Sequence, residues 1–255
     1  MSKNLKDLPE AEYRALKLES FSSLKALLSS VGEFKYLKEN PFKGNNATLL
    51  GTAVHHYIQG EQKLVFVNDF NRTTKEGKEK YTEFMANLPS DGIILTKTQG
   101  ETLEKIYKNF LNSKKCVEIL KGCEFELPFI MPFNIDGKDI KIKGKLDAVN
   151  VTEGYTVEIK TSSAYSNIEE FREGSKQMQY DMQAALYTLM LEHEYKKPFK
   201  HYFIVANTRE PYNVERYTTS DKYLSDGKVK LNKALFLYKR HILDGVPEDE
   251  IEEEL

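Results

Sequence analysis

The chain has 255 residues, and its 37 Lys and Arg against 39 Asp and Glu leave a formal charge of −2, which excludes the global basic bias of many nucleic-acid binders. Hydrophobic residues at 40%, with 15 Tyr and 14 Phe, supply a core and exclude general disorder. No apolar run approaches the roughly 18 residues of a membrane span, residues 1–10 lack the apolar stretch of a secretory leader, and Cys116 and Cys123 are too few for a disulfide framework, a four-cysteine zinc site or an iron–sulfur cluster. A reducing cytoplasm, away from membranes, is the expected setting. One domain over 1–255 is expected at this length: mainly helical over 1–120, a sheet with a helix over 121–220, and a C-terminal helix with an acidic tail over 221–255.

From Ser20 to Leu37, Phe21, Leu24, Leu27, Leu28, Val31 and Phe34 recur at helical spacing, with Ser20 or Ser22 as the N-cap. Ala47 to Gln59 predicts a second helix, which carries His55. The polar, cation-rich stretch 68–80 reads as a loop running into a short helix, and Thr102 to Leu120 as a third amphipathic helix ended by Gly122. The pattern then changes to period two: 124–129 alternates, Asp136-Gly137 marks a turn, and the alternation resumes over 140–148 as a hairpin. A third strand over 155–160 follows the loop 151–154. A helix over about 176–195, strands at 201–206 and 212–218, a helix over about 221–243 and the acidic tail 248–254 complete the chain. This order predicts an α/β sandwich, helices flanking a central mixed sheet.

The segment Lys141 to Thr161, KIKGKLDAVNVTEGYTVEIKT, concentrates ionisable groups. Glu158 and Lys160 are two apart on a strand and leave the same face. With 151–154 as the hairpin loop, Asp147 falls opposite Glu158, at a Cβ separation of about 4.5 to 5.5 Å. Facing carboxylates repel unless a cation sits between them, and hard oxygens suit Mg²⁺, or Mn²⁺ in its place, better than Zn²⁺. Such a cation serves phosphodiester hydrolysis, with Lys160 stabilising charge in the transition state. An exposed sheet face with Glu158 and Lys160 as a surface pair fits the same pattern.

Asp147 followed by Glu158-Ile159-Lys160, on a hairpin that leads to a helix, resembles the PD-(D/E)XK nuclease superfamily. More narrowly, GTAVHHYI at 51–58, GKLDAVN at 144–150, VEIKT at 157–161 and MQAALY at 182–187 resemble, in order and separation, RecE- and RecB-type recombination exonucleases of phages and prophages. SFSSLKALLSS, NRTTKEGK at 71–78 and LTKTQGETLEKI at 95–106 extend the resemblance, which runs from about Ser20 to Asn207. Any one motif is weak; four in order are specific. Members that carry an iron–sulfur cluster need four cysteines, so that subgroup is excluded.

The resemblance implies that Asp147 and Glu158 ligate a catalytic metal, one or two ions per site, joined by the Ile159 carbonyl and by His55; the adjacent His56 is a departure from the usual single histidine. It implies that Gln183 and Tyr187, spaced i, i+4 on one helix face, lie near the catalytic centre with Lys160. Tyr180 reads as helix packing. A glutamate on the first strand often joins such sites, and Glu124 and Glu126 are both open. Lys141, Lys143 and Lys145 form a row on the face of Asp147 that is either a DNA track or a solvated face. Arg72, Lys75 and Lys78 lie where phosphate contact can occur. The implied activity is Mg²⁺-dependent hydrolysis of linear duplex DNA from 5′ ends, leaving 3′ overhangs for a single-strand annealing protein, by a chain that can form a ring-shaped homo-oligomer. A structure-selective or restriction-like endonuclease, or a silent DNA-binding subunit of the same fold, are the competing expectations.

Overall fold

The computed structural model describes residues 8–41, 44–90, 92–165 and 167–248. Helix α1 (Glu10–Ala15) and a two-residue strand β1 (Glu19–Ser20) lead into α2 (Phe21–Ser29) and α3 (Val31–Glu39). The spacing predicts one helix here; two form because Ser30 is extended and its side chain accepts from the Glu33 N–H, capping α3. Ser20 caps α2 as expected, in a capping box with Ser23. Helix α4 (Asn46–Gln59) matches its prediction and is capped by Asn45. Strands β2 (Val65–Asn68) and β3 (Ile93–Thr96), on either side of α5 (Lys75–Ala86), pair in parallel as a separate small sheet. Each is four residues long, too short for alternation to announce it. Helices α6 (Lys97–Asn112) and α7 (Lys114–Ile119) replace the single helix expected over 102–120. A capping box between Thr96 and Gln99 starts α6 earlier, and Ser113 leaves the helical conformation between the two.

The period-two region folds as strands β4 (Glu124–Ile135), β5 (Lys138–Asn150) and β6 (Tyr155–Ser162). β4 and β5 pair antiparallel across the Asp136-Gly137 turn, and β5 meets β6 in the expected register, with Ala148 opposite Val157. The helix expected over about 176–195 is α9 (Tyr180–Tyr195), which starts after Gln179 because that residue has φ 59, a left-handed value that a helix interior does not admit; a helix that was not expected, α8 (Ile168–Gln177), precedes it. β7 (Lys200–Asn207) runs parallel to β6, β8 (Val214–Thr218) antiparallel to β7, and α10 (Asp221–Leu237) continues into a π turn at Tyr238–Leu243. The acidic tail lies, apart from Glu248, outside the described residues.

The main sheet has the order β1-β5-β6-β7-β8, with β4 also paired to β5, and is mixed. On one face α4 and α6 pack Val54, Leu103 and Ile106 against Ala148, Val157, Ile159 and Ile204. On the other, α9 and α10 pack Met182, Leu186, Met190 and Leu231 against Leu127, Phe129, Ile142 and Leu146. This is the predicted α/β sandwich. No helix among the described residues is long and apolar enough to cross a membrane.

The two core layers exchange strand faces at one level of the sheet. Leu127 and Leu146 belong to the α9 layer, whereas Phe125 and Ala148 pack in the α4 layer. Side chains two apart on a regular strand share a face. Both strands therefore turn over between these residues, at Glu126 and Asp147, and Glu126 takes φ 54, strained for a residue with a side chain.

Candidate active site

Asp147 sits where the ladders open. The β4–β5 pairing passes from Phe125–Ala148 to Leu127–Leu146 and skips Glu126 and Asp147. The β5–β6 pairing ends at Ala148–Val157. The expected cross-strand pair of Asp147 and Glu158 is thus replaced by a splay, and the backbone donor freed by it is answered by a side chain: Asp147 Oδ2 accepts the Ile159 N–H at 2.7 Å. The turn-over of β5 makes this possible, since Asp147 stands at the boundary between the two faces. From the α4 side, His55 Nδ1 comes within 3.7 Å of Asp147 Oδ2. Gly51, one turn earlier on α4, permits this approach, because a Cβ there would stand 3.0 Å from Thr161 Oγ1 of β6. His56 instead pairs with Glu61 at 2.8 Å.

Glu158 and Lys160 leave β6 toward α9, where Gln183 holds both. Lys160 Nζ donates to Glu158 Oε1 at 2.9 Å and to Gln183 Oε1 at 2.8 Å, and Gln183 Nε2 donates to Glu158 Oε1 at 2.7 Å. The same amide reaches the Tyr187 hydroxyl at 3.2 Å. Gly144 of β5 gives Tyr187 its room: a Cβ there would stand 3.1 Å from Tyr187 Cε1. The Lys160 ammonium also lies 4.4 Å from the centroid of the Tyr180 ring, so Tyr180, expected only to pack, adds a cation–π contact. Burial alone would lower the pKa of Lys160, but Glu158, Tyr180 and Asp147 outweigh it and hold the ammonium above its ordinary value.

The acidic set gains Glu126. Ligand atoms of His55, Glu126 and Asp147 all lie within 4.8 Å of one another. Gln59, one turn beyond His55 on α4, donates to Glu126 Oε1 at 2.9 Å, and Lys145 pairs with Glu126 Oε2 at 2.5 Å. Glu124, at the start of β4, is exposed and outside this set. Burial first, and then the like charge of Glu126, push Asp147 up to about 7 against the opposite pull of Lys160; burial and then Asp147 push Glu158 up to about 7. Burial lowers the pKa of His55, against the pull of Glu158 and Glu126. Glu158 Oε2 is buried with no hydrogen-bond partner. A divalent cation fits this donor set, since carboxylate oxygens and one imidazole are present, crowded negative charge is relieved by it, and the orphaned oxygen gains a partner.

A cavity of about 780 Å³ opens on His55, Glu126 and Asp147, with Arg14, Thr52, Lys145 and Thr161 also on its walls. Of the lysine row, Lys141 is exposed, Lys143 is directed at backbone carbonyls of α1 and Lys145 at Glu126. Arg72 lies 4.7 Å from the Tyr81 ring centroid, and Lys75 is 3.9 Å from Glu79, both away from the described cavity walls. The sequence leaves Glu124 and Glu126 equally open; the positive φ of Glu126, its place in the opened ladder and its approach to His55 and Asp147 set it apart from the exposed Glu124. Gln59 carried a readable signal, the i, i+4 spacing from His55. Tyr13 and Arg14 carried none.

A family profile described as a PDDEXK-like domain of unknown function (DUF3799) matches residues 20–246. Among solved structures, the chain is similar to a candidate exonuclease from Eubacterium rectale, with TM-score 0.62 and 15% identity over 97% of this chain and 95% of that one. A phage-related exonuclease from Haemophilus somnus 129PT matches at TM-score 0.32 and 12% identity, over 76% of this chain and 94% of that one. No curated protein matches the chain.

Proposed function

We infer that this chain, which belongs to the family of PDDEXK-like domains, is a divalent-metal-dependent DNA exonuclease acting on linear duplexes. The observation that carries the reading is the convergence of His55, Glu126 and Asp147 beside the Glu158–Lys160–Gln183 network, at the point where β5 and β6 splay. Mg²⁺, with Mn²⁺ as a substitute, would be held by Asp147, Glu126, His55, the free oxygen of Glu158 and the Ile159 carbonyl, as one ion or two. When bound, the cation lowers the pKa of water and shields charge on the phosphoryl group.

The chain's own groups do the rest. Lys160, kept protonated and fixed between two acceptors and a ring, offers its charge to the phosphoryl oxygens as negative charge develops. Gln183 fixes Lys160 and Glu158 relative to each other, and Tyr187 fixes Gln183. Exposed Lys141, Arg72 and Lys75 extend phosphate contact along the duplex. On this reading the whole chain is one nuclease domain that works in a phage-infected or bacterial cytoplasm. It resects 5′ ends for an annealing protein, and a ring-shaped homo-oligomer encircling the duplex would make digestion processive.

The test uses linear duplexes labelled at the 5′ or the 3′ end, and closed circles, with Mg²⁺. The expected result is early release of the 5′ label, intact circles, and no hydrolysis by Asp147→Asn. Cutting of circles would make the protein an endonuclease, and absence of hydrolysis with either ion a DNA-binding subunit. Calorimetric Mn²⁺ titration without DNA should weaken in His55→Ala and Glu126→Gln and stay unchanged in His56→Ala.

A further inference from the structure

We propose that helix α1 is a docked wall of the active-site cavity, held by Lys143, and that it presents Arg14 to a phosphate of the DNA strand lying in that cavity. The proposal rests on the nuclease reading and goes beyond it by assigning a substrate contact and the residue that positions it.

Helix α1 is six residues long and has no side-chain cap at its N-terminus. A helix of that length is far below the roughly 12 to 15 residues at which isolated helices become marginal in water, so its position is set by what holds it. Lys143, on β5 beside β1, supplies the hold. Its ammonium donates to the carbonyls of Tyr13 at 3.0 Å, Arg14 at 3.3 Å and Leu16 at 2.8 Å, and lies 5.0 Å from the Tyr13 ring centroid. An ammonium carries up to three donors, which suits it to a cluster of carbonyls. The carbonyls of Tyr13 and Leu16 also accept the backbone N–H groups of Leu16 and Leu18, and the helix C-terminus carries the negative end of the helix dipole, so a cation there adds a favourable contact.

The docking puts Tyr13 and Arg14 on the same cavity wall as His55, Glu126 and Asp147. A DNA strand entering this cavity meets an acidic centre, His55, Glu126 and Asp147, and a cation on the lining offsets the repulsion of its phosphates. Arg14 is exposed to the cavity, and a guanidinium presents a planar fork of donors that matches phosphate oxygens. Lys143 is therefore a positioning residue and Arg14 the contact.

Binding of linear duplex DNA, measured with Ca²⁺ in place of Mg²⁺, tests this through its salt dependence. One lost phosphate contact lowers the slope of log affinity against log salt by about 0.9. Arg14→Gln should lower the slope by that amount. Lys143→Gln should lower it equally, and the double variant no further. Amide exchange over residues 10–16 should quicken in Lys143→Gln and not in Arg14→Gln, which separates loss of docking from loss of contact. An unchanged slope in Arg14→Gln overturns the proposal, and so does a double variant that loses two contacts, which would make Lys143 itself a phosphate ligand. Wild-type protein that binds DNA with the Arg14-dependent slope but hydrolyses none upholds this contact and overturns the nuclease reading. Hydrolysis with an Arg14-independent slope does the reverse.

Discussion

Three side chains meet on the amide of Gln183: it accepts from Lys160 and donates to Glu158 and to Tyr187. Removing the amide while keeping the volume leaves a buried ammonium and a buried carboxylate to find each other unaided. Gln183→Leu is therefore expected to lower turnover by about 10- to 100-fold, the range seen when groups that orient a metal ligand are lost. DNA affinity in Ca²⁺ should stay unchanged, because the amide is buried and offers the strand nothing. Equal losses in affinity and turnover would show that Gln183 contacts DNA. The i, i+4 spacing of Gln183 and Tyr187 is legible in the sequence, since it needs only the helical period. The ring of Tyr180 beneath Lys160 is not, because strand β6 and helix α9 meet only through the fold.

Strand β5 and helix α9 approach closely at Gly144. A methyl group there would stand 2.9 Å from Met190 Sδ and 3.1 Å from Tyr187 Cε1. Methionine sulfur can yield, whereas the Tyr187 ring is tied through Gln183 to the site. Gly144→Ala should cost about 1 to 3 kcal/mol, the usual range for overpacking, read as a lower denaturant midpoint at unchanged m. Its turnover should fall as well, through the displaced ring; full turnover would show that Tyr187 does not support the site. At this scale the hairpin and its register were legible from alternation and the Asp136-Gly137 turn. The division of two expected helices was not, because Ser30 and Ser113 interrupt the backbone without interrupting the apolar periodicity, and α8, before Gln179, was not read at all.

Over the whole molecule, stability carries a pH dependence set in the core. His201 on β7 is fully buried with no partner on either ring nitrogen, and burial, then Lys160, holds its pKa down to about 3 against an ordinary 6.5. The folded state keeps His201 neutral where the unfolded chain protonates it. Its contribution is complete above about pH 6.5 and is lost, as pH falls toward 3, at about 1.4 kcal/mol per unit. Chemical denaturation of wild type and His201→Leu should give a stability difference that shifts in the variant's favour at that rate over this window and is flat above it. Taking the difference removes the acidic groups of the site, which titrate in the opposite sense. A difference independent of pH would mean that His201 is protonated alike in both states. By itself the sequence determined the α/β class, the β4–β5–β6 order and the identity of Asp147, Glu158 and Lys160 as a group, because period, turn residues and spacing are local properties. Only the tertiary structure decided that Glu126 and not Glu124 approaches His55 and Asp147, that Asp147 bonds the Ile159 backbone, and that Lys143 holds a helix. Each of these depends on a turn-over of two strands, or on contacts between distant elements, which no local pattern records.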